Sequence, residues 1–346
     1  MRVAIVNDLA LAREVLRRTV LSVPGYTVAW EANDGDDAVA KAAADRPDVI
    51  LMDLVMPRMN GVDATRAIMK QAPCPILVVT ATVPGHYDLV MRAMGGGALD
   101  AVETPRLGAA GAVESAGPLL DRLAKLAATR RPGSGPPLPV PSTRPQVSRQ
   151  FPPLVLIGSS TGGPEALAAV LAAFPPNMPA AVLIAQHISA DFAPGLVTWL
   201  SDRCRLPVRA AVAGEPPTAG TVAVAVSNDH LVLDPDWRLR YTPNPREWPY
   251  RPSVNALFAS GAGWPGGGVV VVLTGMGPDG AEGLLRLRTA GWHTISQDEP
   301  TCVVYGMPKA AVEIGAAAWV LPIDQIGPAV VATVRRLTRQ VSPGAA

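Results

Sequence analysis

Runs of like charge are missing from these 346 residues: 30 Lys and Arg stand against 29 Asp and Glu, interspersed, for a formal net charge of +1. Without a basic stripe there is no electrostatic footprint for nucleic acid, and none is expected as a partner. Long apolar runs are missing too, because Gly, Pro or polar residues interrupt each one before membrane-spanning length. The start, MRVAIVNDLALAR, has neither the basic opening nor the unbroken apolar centre of a signal peptide, and Asp8 interrupts it. A cytoplasmic protein without direct membrane insertion is expected. Cysteine is scarce. Cys74, Cys204 and Cys302 are too scattered for a metal spacing or a disulfide framework, and Cys302 reads as a small packed thiol.

Length and proline distribution organise the rest. A chain of 346 residues suits two domains. From Arg130 to Pro153 it reads RRPGSGPPLPVPSTRPQVSRQFPP, a composition that favours an extended spacer over a packed core. The expected division is a first domain over 1–129, a Pro-rich linker over 130–150 and a second domain over 151–342. In the first, VAIV, TVAW, DVILMD, PILVVT and ALDAVE alternate with helical stretches, which argues for a doubly wound parallel sheet. The pattern resumes after the linker, so both domains are expected to be α/β.

Chemistry concentrates at strand ends. LVLIGSSTGGPEALAAV is an apolar strand, a Gly/Ser/Thr turn and a helix start with Pro164 in its first turn. Such a turn more often binds a phosphate or permits a tight bend, but it can also seat a nucleophile beside free helix N–H groups; the lack of a P-loop Lys weakens the nucleotide reading. AAVLIAQHIS ends on His187, and GVVVVLTGMGPDG runs into a turn bearing Asp279. Continuous apolar runs indicate parallel strands buried on both faces, whose carboxyl ends border the ligand crevice. Ser160, His187 and Asp279 are therefore expected on one sheet edge as nucleophile, base and orienting carboxylate.

GSSTGG, QHISADF, RPSVNALF, LTGMGPDG and QDEPTCVVYGMPKAA resemble signature segments of the chemotaxis protein-glutamate methylesterases, response regulators with a C-terminal esterase domain. The resemblance implies Ser160 as nucleophile, His187 as general base then acid, and Asp279 as its orienting partner. It points to Thr161 and the backbone near Met276 for oxyanion support, and to an esterase without a cofactor. The implied substrate is the cytoplasmic domain of a methyl-accepting chemoreceptor, with glutamine deamidation as a further activity of many relatives. Asn255 stands where the family usually has an acid, and is expected to touch substrate or domain contacts, not the triad.

In the first domain, Asn7 and Asp8 end the first strand, Asp53 the third and Thr80 the fourth. Strand-end carboxylates suit a hard cation, though Asp and Asn also favour plain turns. DLVMPRMNG resembles the receiver signature, which implies a flavodoxin-like fold, Asp53 as phosphoacceptor and a histidine kinase as donor. It further implies Mg²⁺ held by Asp8 and Asp53, with Asn7 a weaker partner. Thr104 precedes Pro105 where receivers usually carry Lys, which weakens the expected coupling of Asp53 to the switch; with VND it resembles the Wsp-type surface-sensing branch. Two other readings stay open: a non-catalytic phosphate sink that docks on a receptor, and a hydrolase of small esters.

Overall fold

The computed structural model describes residues 1–81, 87–108, 112–129, 151–246 and 248–340. The chain divides into two compact units, Met1–Gly133 and Ser134–Ala346. The expected linker, 130–150, lies outside the described residues.

The first unit runs β1 (Arg2–Val6), α1 (Ala10–Leu21), β2 (Thr27–Ala32), α2 (Gly35–Ala44), β3 (Val49–Met52), α3 (Gly61–Gln71), β4 (Ile76–Thr80), α4 (Tyr87–Gly95) and β5 (Asp100–Glu103). A short antiparallel pair, β6 (Arg106–Leu107) and β7 (Val113–Glu114), precedes α5 (Gly117–Thr129). Strands β1 to β5 form a parallel sheet in the order β2-β1-β3-β4-β5. This is the flavodoxin-like winding, whose direction reverses between β1 and β3. Every residue of β3 and β4 is buried, as helices on both faces require. On one face Ile5, Leu51 and Leu77 pack with Leu16, Val20, Leu119 and Leu123.

The second unit contains β8 (Leu154–Ser159), α6 (Gly163–Ala172), β9 (Ala181–Gln186), α7 (Ala193–Ser201), β10 (Val208–Ala210) and β11 (Val222–Val224). A hairpin of β12 (His230–Leu233) and β13 (Leu239–Thr242) then leads to α8 (Val254–Ser260). After it come β14 (Gly268–Val272), α9 (Ala281–Thr289), β15 (His293–Gln297), α10 (Met307–Glu313), β16 (Trp319–Leu321) and α11 (Ile323–Gln340). The main sheet is parallel, in the order β10-β11-β9-β8-β14-β15-β16. The chain leaves β8 on the β9 side and later lays β14 on its other side, so the crevice at the carboxyl ends opens beside β8. All of β8, β9 and β14 is buried.

One glycine sets how α8 approaches this edge. A Cβ on Gly158 would lie 2.1 Å from Val254 Cγ1, so its absence lets the first turn of α8 close on the end of β8. There Val254, Leu257 and Phe258 join the core of Leu156, Leu183, Val270 and Leu284.

Candidate active site at the carboxyl edge of the second sheet

Ser159 pairs with Gln186 across β8 and β9, so Ser160 and His187 occupy adjacent positions just beyond the paired strands. The His187 N–H donates to Ser159 O at 3.0 Å, and Ser160 N–H donates to Thr274 O at 3.0 Å, which ties in the turn after β14. Gln186, fully buried, knits the edge together. Its Nε2 donates to Ser160 O at 2.9 Å and to His187 O at 3.0 Å, while its Oε1 accepts from Ser159 Oγ at 2.6 Å. A Cβ on Gly163 would fall 1.9 Å from that Oε1, so the second glycine of the STGG turn leaves room for the Gln186 amide. Sequence reasoning missed Gln186; its only signal was its place beside His187.

Asp279 accepts five hydrogen bonds. Oδ1 takes them from Ser253 Oγ at 2.9 Å, Asn255 N at 3.0 Å and Gly280 N at 3.0 Å. Oδ2 takes them from Val254 N at 2.7 Å and His187 Nε2 at 2.8 Å. Two of the donors are first-turn N–H groups of α8, which have no partner within their helix, so the helix start and the carboxylate satisfy each other. Burial opposes ionisation of Asp279. The hydrogen bond and charge of His187, then the Asn255 and Val254 N–H groups, outweigh it and hold the carboxyl below its ordinary value.

With Nε2–H committed to Asp279, the lone pair available to take a proton sits on His187 Nδ1, a buried atom without a hydrogen-bond partner. Ser160 is 5 % exposed, and a Cβ on Gly275 would lie 2.7 Å from its Cβ, so the turn after β14 packs directly on it. Thr161 is fully buried with its Oγ1 unpartnered, and Met276 is half-buried on the turn after β14. The set offers a hydroxyl and a base with one free nitrogen on two strand ends, and an ionised carboxylate on the turn between β14 and α9, the requirements of covalent acyl transfer.

Asn255 departs from expectation. It touches the cluster through its backbone N–H on Asp279, and its Oδ1 accepts from Gly283 N at 2.8 Å, capping the first turn of α9. Gly280, the cap residue, has no side chain to do so, and its φ of 93° suits glycine. Cys302 is half-buried, and its thiol is pushed up to about 12 by burial and then by the charge of Asp298.

At the switch point of the first sheet, Asn7 Nδ2 donates to Asp53 Oδ2 at 3.1 Å, and Asn7 Oδ1 accepts from Leu9 N at 2.9 Å. Asp8 is exposed beside them. The DLVMPRMNG turn is built around Asp53: Asn60 caps α3 by accepting from Asp63 N, and a Cβ on Gly61 would fall 1.9 Å from Asp53 O. Thr80 is buried, and its carbonyl accepts from Thr104 N at 3.0 Å, which sets the two threonines on neighbouring strand ends. No group of three or more His, Cys, Asp or Glu suited to a metal occurs among the described residues, and no helix among them is long and apolar enough to cross a membrane.

Known protein families match each of the two units. Residues 3–106 match the response regulator receiver domain family and residues 155–330 the CheB methylesterase family. A protein-glutamate methylesterase/protein-glutamine glutaminase of Burkholderia thailandensis is 50 % identical over 340 residues, covering 97 % of this chain and 98 % of its own length. One from Mesorhizobium japonicum is 47 % identical over 345 residues, covering 98 % and 100 %. The crystal structure of the Thermotoga maritima CheB methylesterase catalytic domain, 33 % identical, covers 53 % of this chain and 98 % of its own, with a TM-score of 0.49. The chain belongs to the CheB methylesterase family and carries a response regulator receiver domain ahead of the esterase domain.

Proposed function

We propose that this protein hydrolyses glutamyl methyl esters on the cytoplasmic helices of a methyl-accepting chemoreceptor, under control of phosphorylation at Asp53. The receiver occupies 1–129 and the esterase 151–342. The observation that carries the chemistry is the 2.8 Å bond between His187 Nε2 and Asp279, at the same sheet edge as Ser160.

Ser160 Oγ attacks the ester carbonyl carbon while its proton passes to His187 Nδ1. The resulting imidazolium is stabilised by the ionised Asp279 on its other nitrogen. Collapse of the tetrahedral intermediate breaks the carbon–methoxy bond, and the Nδ1 proton leaves with methanol. Water, deprotonated by His187, then cleaves the glutamyl-serine ester and frees the carboxylate. Thr161, whose buried hydroxyl lacks a partner, and the backbone at Met276 support the oxyanion; one donor in such a site contributes about 2.7–4 kcal/mol. A receptor glutamine passes through the same acyl-enzyme with ammonia as the leaving group. None of these steps calls on a cofactor.

In the receiver, the carboxylate oxygens of Asp8 and Asp53 suit Mg²⁺, and Asn7, already hydrogen-bonded to Asp53, is an outer partner. Mg²⁺ held by Asp8 and Asp53 would supply charge neutralisation for the phosphoryl group that a histidine kinase transfers to Asp53. The decisive experiment is methanol release from a methylated receptor. It should be lost in Ser160→Ala and His187→Ala, with the double variant little worse than either single one. Unchanged release in Ser160→Ala would sink the assignment.

A further inference from the structure

The His187 ring is held by more than its Nε2 bond to Asp279. The ring of Tyr250 lies flat on it, with centroids 4.5 Å apart and planes 2° from parallel. The phenol reaches the turn after β14 as well: a Cβ on Gly277 would fall 2.3 Å from Tyr250 Oη, and Gly277 has a φ of 82°. Tyr250 thus bridges the base and the turn that leads to Asp279. Burial, then the charge of Asp279, push its hydroxyl up to about 12, so the ring stays neutral and electron-rich on its faces.

The segment that carries Tyr250 is anchored on both sides by one buried residue. His230 Nε2–H donates to Pro245 O at 3.1 Å, and its Nδ1 accepts from Ser253 N at 3.1 Å. Ser253 then caps α8 and donates to Asp279. His230 therefore ties both ends of this segment, and through Ser253 the contacts continue to the Asp279 carboxylate.

On the reading of His187 as the base, we propose that Tyr250 is a positioning residue of the esterase. Its ring fixes the plane in which Nε2–H meets Asp279 and leaves Nδ1 free. Its π-face favours the imidazolium, the form of His187 that exists only while the Ser160 proton is on it. The aid is therefore given during reaction and not to the resting ester complex, so it belongs to kcat and not to KM.

The test uses the full chain with Tyr250→Phe and Tyr250→Leu, methanol release from a methylated receptor, and the proton spectrum of the His187 Nε2–H resonance. Tyr250→Phe keeps the stack and should hold kcat within about twofold. Tyr250→Leu should lower kcat by about 2- to 30-fold, the range a cation–π contact spans, with KM unchanged and the Nε2–H signal shifted or broadened. Loss of kcat in Tyr250→Phe equal to that in Tyr250→Leu would overturn the proposal, because the hydroxyl would then be the active part. An unshifted signal and unchanged kcat in Tyr250→Leu would overturn it also. The resonance reads the stack without reference to turnover, and the activity of His187→Ala separately tests the assignment of the base.

Discussion

Replacing Asp279 by Asn probes the cluster at its most connected point. Five donors converge on two carboxylate oxygens, three on Oδ1 and two on Oδ2. A carboxamide keeps one acceptor oxygen and brings an NH₂ group that must face donors. The least costly orientation places NH₂ at the Oδ2 position, where Val254 N–H loses its acceptor and His187 must offer a lone pair from Nε2. The proton of the imidazole then moves to Nδ1, the nitrogen that should accept from Ser160. One unpaired buried N–H costs about 1–3 kcal/mol of stability. The wrong tautomer costs about 10⁴-fold in kcat, as in other triads. Methanol release at saturating receptor gives kcat, and thermal melting gives stability. The acid limb supplies a second check. The carboxyl of Asp279 is depressed in the folded state, so its stabilisation is complete above the ordinary carboxylate value and is lost as pH falls through the folded value. The stability gap between wild type and Asp279→Asn should therefore narrow with acidification. A variant with near-normal kcat, or a gap that widens in acid, would refute the reasoning.

Ser159→Ala should remain active while losing about 1–3 kcal/mol by melting, since it strands the buried Gln186 Oε1 that its hydroxyl now satisfies. A dead Ser159→Ala with an active Ser160→Ala would exchange the two roles. Gly163→Ala places a methyl 1.9 Å from Gln186 Oε1 and should cost about 1–3 kcal/mol and lower kcat, read by melting and by methanol release. His230 is pushed below its ordinary value, first by burial, so its contribution is complete above the unfolded histidine value of 6.5 and is lost as pH falls through the folded value. Wild type should accordingly lose melting temperature below that pH, and His230→Gln should flatten the slope. Asp53→Asn should abolish any rise in methanol release caused by a small-molecule phosphodonor with Mg²⁺, leaving the basal rate in place.

The sequence by itself determined the strand–helix alternation of both units and the strand ends on which Asn7, Asp53, Ser160 and His187 sit. Those features follow from short-range patterns: unbroken apolar runs such as AVLIAQ and VILM, and the turn residues that end them. Glycines that permit close approach, such as Gly61 beneath Asp53 and Gly163 beside Gln186, were visible as motif letters but not as contacts. Only the tertiary structure decided what meets Asp279. Ser253, Val254 and Asn255 reach it across 24 to 26 residues because Gly158 lets α8 close on β8, and helix packing of that kind leaves no local periodicity to read. For the same reason Asn255 proved to be both a cap for α9 and a neighbour of the cluster. Tertiary structure also decided which nitrogen of His187 remains free, and brought Tyr250 flat against that ring. A side chain's partners are set by which strand ends the sheet order places side by side, and the order along the chain does not carry that information.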